Sequence, residues 1–255
     1  MCVPLIQEAL LIPWEKIDSA PLPDDGGEIT LYRRGDAFSI RVDGEELMNS
    51  LSHGSEEALA GHALDALGVR AEPRILVGGL GLGFTLSAVL RELPSGARIL
   101  VAELAEAVVR WNRGPLARLA GHPLEDARVS TRVIDVARLL RAEPETFDLI
   151  LLDVDNGPRG LTRKANDRLY SAAGLAEAFR ALRPRGILAL WSAGPDPAFT
   201  LRLKKAAFSV KEERVRCRDT GGGMRHTLWI ASKGSGKGFS GSIARASKKP
   251  DRRRR

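Results

Sequence analysis

Cysteine is nearly absent: Cys2 and Cys217 are the only two in 255 residues. They form no metal-ligand spacing, so reduced thiols in a cytoplasmic protein are expected ahead of a disulfide. The four histidines, His53, His62, His122 and His226, show no convergent pattern, and no metal site is expected. No Ser/His/Asp or Cys/His arrangement stands out. No apolar run approaches the ~20 residues of a membrane helix, so no membrane partner is expected. The opening MCVPLIQEALLIPWEK has no basic start and meets Glu8 early, which argues against a signal peptide.

Positive charge is also scarce outside one place. The net charge is +7, yet residues 233–255 carry nine Lys or Arg and one Asp. The remaining 232 residues hold 30 basic and 31 acidic side chains, a balance of −1. A basic isoelectric point therefore says nothing about nucleic acid binding by the folded body. The Gly/Ser/Lys/Arg-rich tail is expected to be disordered, with weak polyanion contact as its strongest activity.

What the chain does contain is a glycine cluster in an informative setting. Ile75-Leu76-Val77 is long enough for one buried strand, and it runs into Gly78, Gly79, Gly81 and Gly83 before a helical pattern begins at Leu86. Glycines between a strand and a helix let the backbone turn sharply and lie against a ligand at the helix N-terminus. Glu103 closes the next apolar run about one βαβ unit later, where a carboxylate can accept both hydroxyls of a ribose. Gly79, Gly81, Gly83 and Glu103 are thus the first candidate cofactor-binding residues.

Residues 1–70 read as a small β-hairpin unit plus a helix. Strands are expected at 29–32 and 38–42, a second turn at Asp43-Gly44, and a helix from Ser55 stopped by Gly68. Residues 71–232 alternate strand and helix. Strands are expected near 74–78, 98–103, 128–134, 147–153 and 186–192, with helices near 84–93, 105–120, 136–142, 166–182 and 197–206. This predicts an α/β fold with a mostly parallel sheet. Two final strands, 208–216 and 226–231, are joined by the short Gly221-Gly222-Gly223 connection and must form an antiparallel hairpin. That ending, and G-x-G-x-G rather than G-x-G-x-x-G spacing, favour a Rossmann-like class I S-adenosylmethionine-methyltransferase fold, with a seven-stranded sheet, over a nicotinamide-binding one.

On these residues the chain resembles the spermidine synthase (polyamine aminopropyltransferase) family, and more closely its shorter spermidine-synthase-like bacterial members, over roughly residues 26–232. The resemblance implies decarboxylated S-adenosylmethionine or S-adenosylmethionine as the cofactor, an amine as the second substrate, and a homodimer. Glu103 matches the acid that holds the ribose, and Asp135 the acid that receives the adenine amino group. Asp153 and Asp155, in LLDVDNGP, match the family's aspartate pair, one of which deprotonates the attacking amine. Tyr170 matches an aromatic substrate-binding residue that opens the next helix. The sequence departs from the pattern in the spacing of that pair, in Leu82 where the family has an acid, and in His53-Gly54-Ser55-Glu56-Glu57 where it has a tyrosine-histidine pair.

Each candidate also has a plainer role. Asp135 suits the N-cap of a helix starting at Val136, and both roles can hold together. Asp153 and Asp155 lie past the carboxyl end of a strand, where α/β enzymes bind ligands, but such residues also cap turns and face solvent. Asn112-Arg113-Gly114-Pro115 reads as a helix bend, and Trp191 as a core aromatic ahead of a pocket wall. The leading functional reading is aminopropyl transfer to an amine, as in polyamine biosynthesis. S-adenosylmethionine-dependent methyl transfer is the alternative, and a non-catalytic nucleoside- or RNA-binding protein is the third.

Overall fold

The computed structural model describes residues 12–23, 27–154, 168–216 and 225–234. Four strands come first: β1 (Glu15–Pro21), β2 (Glu28–Arg34), β3 (Ala37–Val42) and β4 (Glu45–Asn49). They form an antiparallel sheet in sequence order. The β2–β3 hairpin and the Asp43-Gly44 turn fall where the sequence predicts them. β1 was not anticipated, because EKIDSAP has no run of alternating apolar residues.

Helix α1 (Gly54–Leu67) follows, with Glu56 and Glu57 in its first turn, where the helix dipole favours acids. Gly68 stops it at φ +70°, its N–H bonded to the Leu64 carbonyl. The alternating region then supplies β5 (Arg74–Gly78), α2 (Phe84–Glu92), β6 (Arg98–Glu103), α3 (Glu106–Arg113), β7 (Val129–Val133), α4 (Val136–Ala142), β8 (Phe147–Leu152), α5 (Ala172–Ala181), β9 (Leu182–Ser192), α6 (Pro197–Lys205), β10 (Phe208–Arg216) and β11 (Arg225–Lys233). Two expectations need correction. The helix expected over 105–120 ends at Arg113, where Gly114 and Pro115 break it, and β9 begins four residues earlier than predicted.

The seven strands lie in the order β10-β11-β9-β8-β5-β6-β7. β5 to β9 are parallel, and β11 pairs antiparallel with both β9 and β10. The chain steps outward from β5 through β6 to β7, then returns to place β8 on the other side of β5. That reversal opens a crevice at the carboxyl ends of β5 and β8.

The central strands read as unbroken apolar runs because both faces of the sheet are covered. Ile75, Val77, Leu149, Leu151, Ile187 and Ala189 point to one core; Leu76, Ile150, Leu152, Leu188 and Leu190 point to the other. The first core also holds Leu59 and Ala63 of α1, together with Leu31, Phe38 and Ile40 of the four-stranded sheet. Residues 12–70 therefore share their apolar interior with the larger sheet. A polar strap reinforces the join: Asp18 accepts hydrogen bonds from Trp111 Nε1 (2.8 Å) and Arg110 Nη2 (2.7 Å). The Trp111 bond, then the Arg110 bond, holds the Asp18 carboxyl below the usual carboxylate range.

Among the described residues, no helix is long and apolar enough to cross a membrane. Cys2 and Cys217 lie outside the described residues.

Candidate active site

The glycine loop after β5 is built for close approach. Gly79, Gly81 and Gly83 all have left-handed backbones, at φ +88°, +51° and +87°. At Gly79 a Cβ would lie 2.5 Å from the Asp153 carbonyl oxygen, and at Gly81 one would lie 2.7 Å from Met48 Sδ. Only glycine satisfies both demands there. Asn112, 2 % exposed, holds the loop from below by donating to the Gly81 carbonyl at 2.8 Å and the Val108 carbonyl at 3.0 Å. Asn112-Arg113-Gly114-Pro115 reads locally as a bend, and no local pattern announces a contact across 31 residues.

Glu103, at the end of β6, is 8 % exposed. Its Oε2 accepts the Leu80 N–H and its Oε1 the Ala105 N–H, both at 2.8 Å. Burial raises its pKa, and the N–H groups of Ala105 and Leu80 oppose that rise by stabilising the charge. The N–H groups of Leu104 and Gly81 act on this carboxylate as well, and it lines a cleft over the sheet edge. Asp135, Asp153, Gly79, Gly81 and Ile134 border the same cleft. Asp135 caps α4 by accepting the Ala137 N–H at 2.8 Å. Its capping role and its place on the cleft coexist.

Asp153 is the hinge of the arrangement. Its N–H donates to the Gly78 carbonyl at 3.0 Å, and its Oδ2 accepts the Thr85 hydroxyl at 2.6 Å. It borders the first cleft and also a second cavity, which lies under β4 and α1. Burial raises the Asp153 pKa, and the Thr85 hydrogen bond partly offsets that rise.

Three carboxylates line the second cavity: Glu46, Glu56 and Asp153. Its other polar walls include Thr85, Trp191 and His226, and among its described lining residues there is no lysine or arginine. Glu56 has its pKa raised to about 7, first by burial and then by the charge of Asp153. Leu82, where an acid was expected by resemblance, lines this cavity too. The acids come instead from β4 and α1. Such a cavity favours a cation.

The spermidine synthase fold is present. The protein is similar to the spermidine synthase from Thermotoga maritima (TM-score 0.68, 19 % identity, 88 % of this chain and 75 % of that one). It is similarly close to a spermidine synthase in complex with the transition state analogue AdoDATO (TM-score 0.67, 19 % identity, 88 % and 74 %). A probable spermidine synthase from Corynebacterium glutamicum ATCC 13032 aligns at TM-score 0.60 and 15 % identity, over 89 % and 83 %. No family model and no curated protein sequence matches. The spermidine synthase fold accounts for both the seven-stranded sheet with its terminal hairpin and the antiparallel unit ahead of it.

Of the expected site residues, Gly79, Gly81, Glu103, Asp135 and Asp153 meet around one cleft. Gly83 sits behind them as the N-cap of α2. Asp155 lies outside the described residues. Tyr170 is not on either cavity wall: it is 3 % exposed, its ring packs edge-on against Phe199, and its hydroxyl donates to the Val154 carbonyl at 2.9 Å. It braces the corner that carries Asp153. Trp191, by contrast, lines the second cavity as well as packing on the core.

No Ser/His/Asp or Cys/His arrangement stands out in the sequence, yet the fold brings a serine, a glutamate and a histidine into one line. Ser55 Oγ donates to Glu56 Oε2 at 2.7 Å and lies 2.9 Å from His226 Nδ1, a residue 171 positions away. Only the pairing of β11 beside α1 brings these together, so no spacing rule could have found them.

Proposed function

We propose that this protein is an aminopropyltransferase, moving the aminopropyl group of decarboxylated S-adenosylmethionine to a primary amine and releasing methylthioadenosine. The observation that carries this reading is the carboxylate-lined second cavity, which shares Asp153 with the cleft that Glu103 and Asp135 line. A sulfonium in the cleft and an ammonium in the cavity would meet at that side chain. The apolar cleft walls suit adenine, with Glu103 for the ribose hydroxyls and Asp135 for the adenine amino group. Asp153 anchors and orients the amine nitrogen, and Asp155 joins it by resemblance. Tyr170 serves substrate binding indirectly, through the corner it braces.

AdoDATO bound to a protein of this fold supports the same pairing of nucleoside and amine. Leu82 removes one acid and so favours methyl transfer, but Glu46 and Glu56 restore negative charge to the same cavity. A methyl acceptor needs no such surplus. A homodimer belongs to the proposal by resemblance, and the cysteine-poor sequence suits a reducing cytoplasm.

Parallel calorimetry with S-adenosylmethionine, its decarboxylated form and methylthioadenosine tests the reading. The decarboxylated form and methylthioadenosine are expected to bind more tightly, and a panel of diamines to yield aminopropylated product. Clear preference for the carboxylated form, with no diamine turned over, would replace aminopropyl by methyl transfer.

A further inference from the structure

Aminopropyl transfer requires a neutral amine, because an ammonium nitrogen has no lone pair to attack with. A primary alkylamine resembles the lysine side chain, whose ordinary pKa is about 10.4, and so arrives protonated at neutral pH. One group must take that proton inside the second cavity, and it must be accessible, acidic enough to be ionised and basic enough to accept.

We propose that Glu56 is this proton acceptor, held in place by Ser55 and His226 and acting opposite Asp153 on the bound ammonium. The inference rests on the aminopropyl-transfer reading. Glu56 and Asp153 line the same cavity, and their charges interact. Asp153 has one oxygen committed to the Thr85 hydroxyl, which suits an anchor. Glu56 is fixed from the other side by the Ser55 hydroxyl. Since that hydroxyl gives its only proton to Glu56, it must accept from His226 Nδ1–H, which sets the histidine tautomer. Burial lowers the His226 pKa, so the ring stays neutral and does not compete for the proton. Ser55 is fully buried and His226 packs edge-on against Trp191, so the line has little room to swing. Ser55 and His226 are positioning residues.

The surroundings favour proton uptake by Glu56. Asp153 beyond β8 and Glu46 on β4 are acidic neighbours in the cavity. On α1 itself, the charge of Glu57 adds to the rise although Glu57 also pairs with Arg91 of α2 at 3.1 Å, and His53 stacks on Phe84. No lysine or arginine is among the described residues that line the cavity. Glu56, with a pKa of about 7, is poised between the two protonation states at neutral pH.

The step balances. Glu56 carboxylate takes one proton from the primary ammonium and becomes a carboxylic acid. The freed nitrogen lone pair forms a bond to the aminopropyl carbon on sulfur as the carbon–sulfur bond breaks. Its electron pair goes to sulfur, turning the sulfonium into the neutral thioether of methylthioadenosine. The new secondary ammonium retains the positive charge lost from sulfur.

The test is the pH profile of kcat/KM with decarboxylated S-adenosylmethionine and 1,4-diaminobutane for the wild type, Glu56→Gln and Ser55→Ala. The wild type is expected to show a rising limb near pH 7. Glu56→Gln should lose about 100-fold at pH 7, and its limb should move about 2 pH units upward, toward the amine's own titration. Ser55→Ala removes a bond to the ionised carboxylate, so its limb should shift upward while the nucleoside affinity measured with methylthioadenosine stays unchanged. A Glu56→Gln enzyme with the wild-type limb would overturn the inference and leave aminopropyl transfer intact. Absence of turnover in the wild type would instead remove the reaction. In that case infrared titration of the carboxyl band still decides Glu56: loss of a band titrating near pH 7 in Glu56→Gln supports its place in the cavity, and no change refutes it.

Discussion

Thr85 donates its hydroxyl to Asp153 Oδ2 at 2.6 Å and so joins the first turn of α2 to the corner after β8. The bond aims a buried carboxylate at the seam between two cavities and stabilises its charged form. Asp153→Asn keeps the size of the side chain and removes the charge. Turnover is expected to fall by about 10²–10³-fold, the scale of losing one preorganised electrostatic group. Methylthioadenosine affinity should remain near wild type. Thr85→Val should act in the same direction but by about 10-fold, since the carboxylate stays. Steady-state kinetics on both variants checks this, and wild-type turnover by Asp153→Asn would remove the residue from the mechanism.

Glu103 joins the glycine loop to the β6–α3 corner through two backbone N–H groups. Glu103→Gln sets an amide donor against one of those donors and removes the proposed ribose acceptor. Two costs are expected: a stability loss of about 1–3 kcal/mol in urea titration, and nucleoside affinity weakened about tenfold. Unchanged affinity would place the ribose elsewhere.

Gly79 and Gly35 both have positive φ, but only Gly79 is crowded. Gly35→Ala should cost only the conformational strain, about 1–2 kcal/mol. Gly79→Ala adds a clash with the Asp153 carbonyl, so its loss in chemical denaturation should be clearly larger. Nucleoside binding should fail with it. Equal losses at both positions would mean that the loop yields easily.

The raised pKa of Glu56 makes it a charge that the fold holds unwillingly. Below pH 4.5, its ordinary value, Glu56 is protonated whether folded or unfolded. Between there and about 7 the folded state keeps a proton that the unfolded state has released, so stability falls as pH rises. Glu56→Gln should therefore melt several degrees above the wild type at pH 8 and level with it near pH 5. Melting curves at the two pH values settle the sign.

Residues 235–255 contain eight Lys or Arg and one Asp. Lys233 is excluded from that count because its Nζ donates to the Leu182 carbonyl and belongs to β11. Removing 235–255 should abolish salt-sensitive binding to heparin or RNA and leave the melting temperature unchanged. A drop in melting temperature would show that the segment packs on the body.

The legible parts of the sequence were those governed by local pattern. The buried runs at Ile75-Leu76-Val77 and Phe147 to Leu152 announce strands covered on both faces, and the glycines between Gly221 and Gly223 dictate a hairpin. Glu103 and Asp153 could be placed because strand ends are predictable and the crevice forms at strand ends. β1 escaped because its residues are polar or half-exposed, and its place depends on Asp18 meeting Trp111. Glu56 escaped for a related reason. An acid in the first turn of a helix has an ordinary explanation in the helix dipole, and only the proximity of Asp153 and His226 gives it another.

The apolar core shared by the four-stranded and seven-stranded sheets has a consequence for how this chain can be divided. A cut in the linker between Gly68 and Pro73 would leave two fragments, each with a raw greasy surface where Leu31 and Ile40, or Val77 and Leu151, now meet a common interior. Neither half should be obtainable alone in monomeric form. Produced together, they should recombine, because the Asp18 strap and the matching surfaces supply the docking information without the connecting peptide.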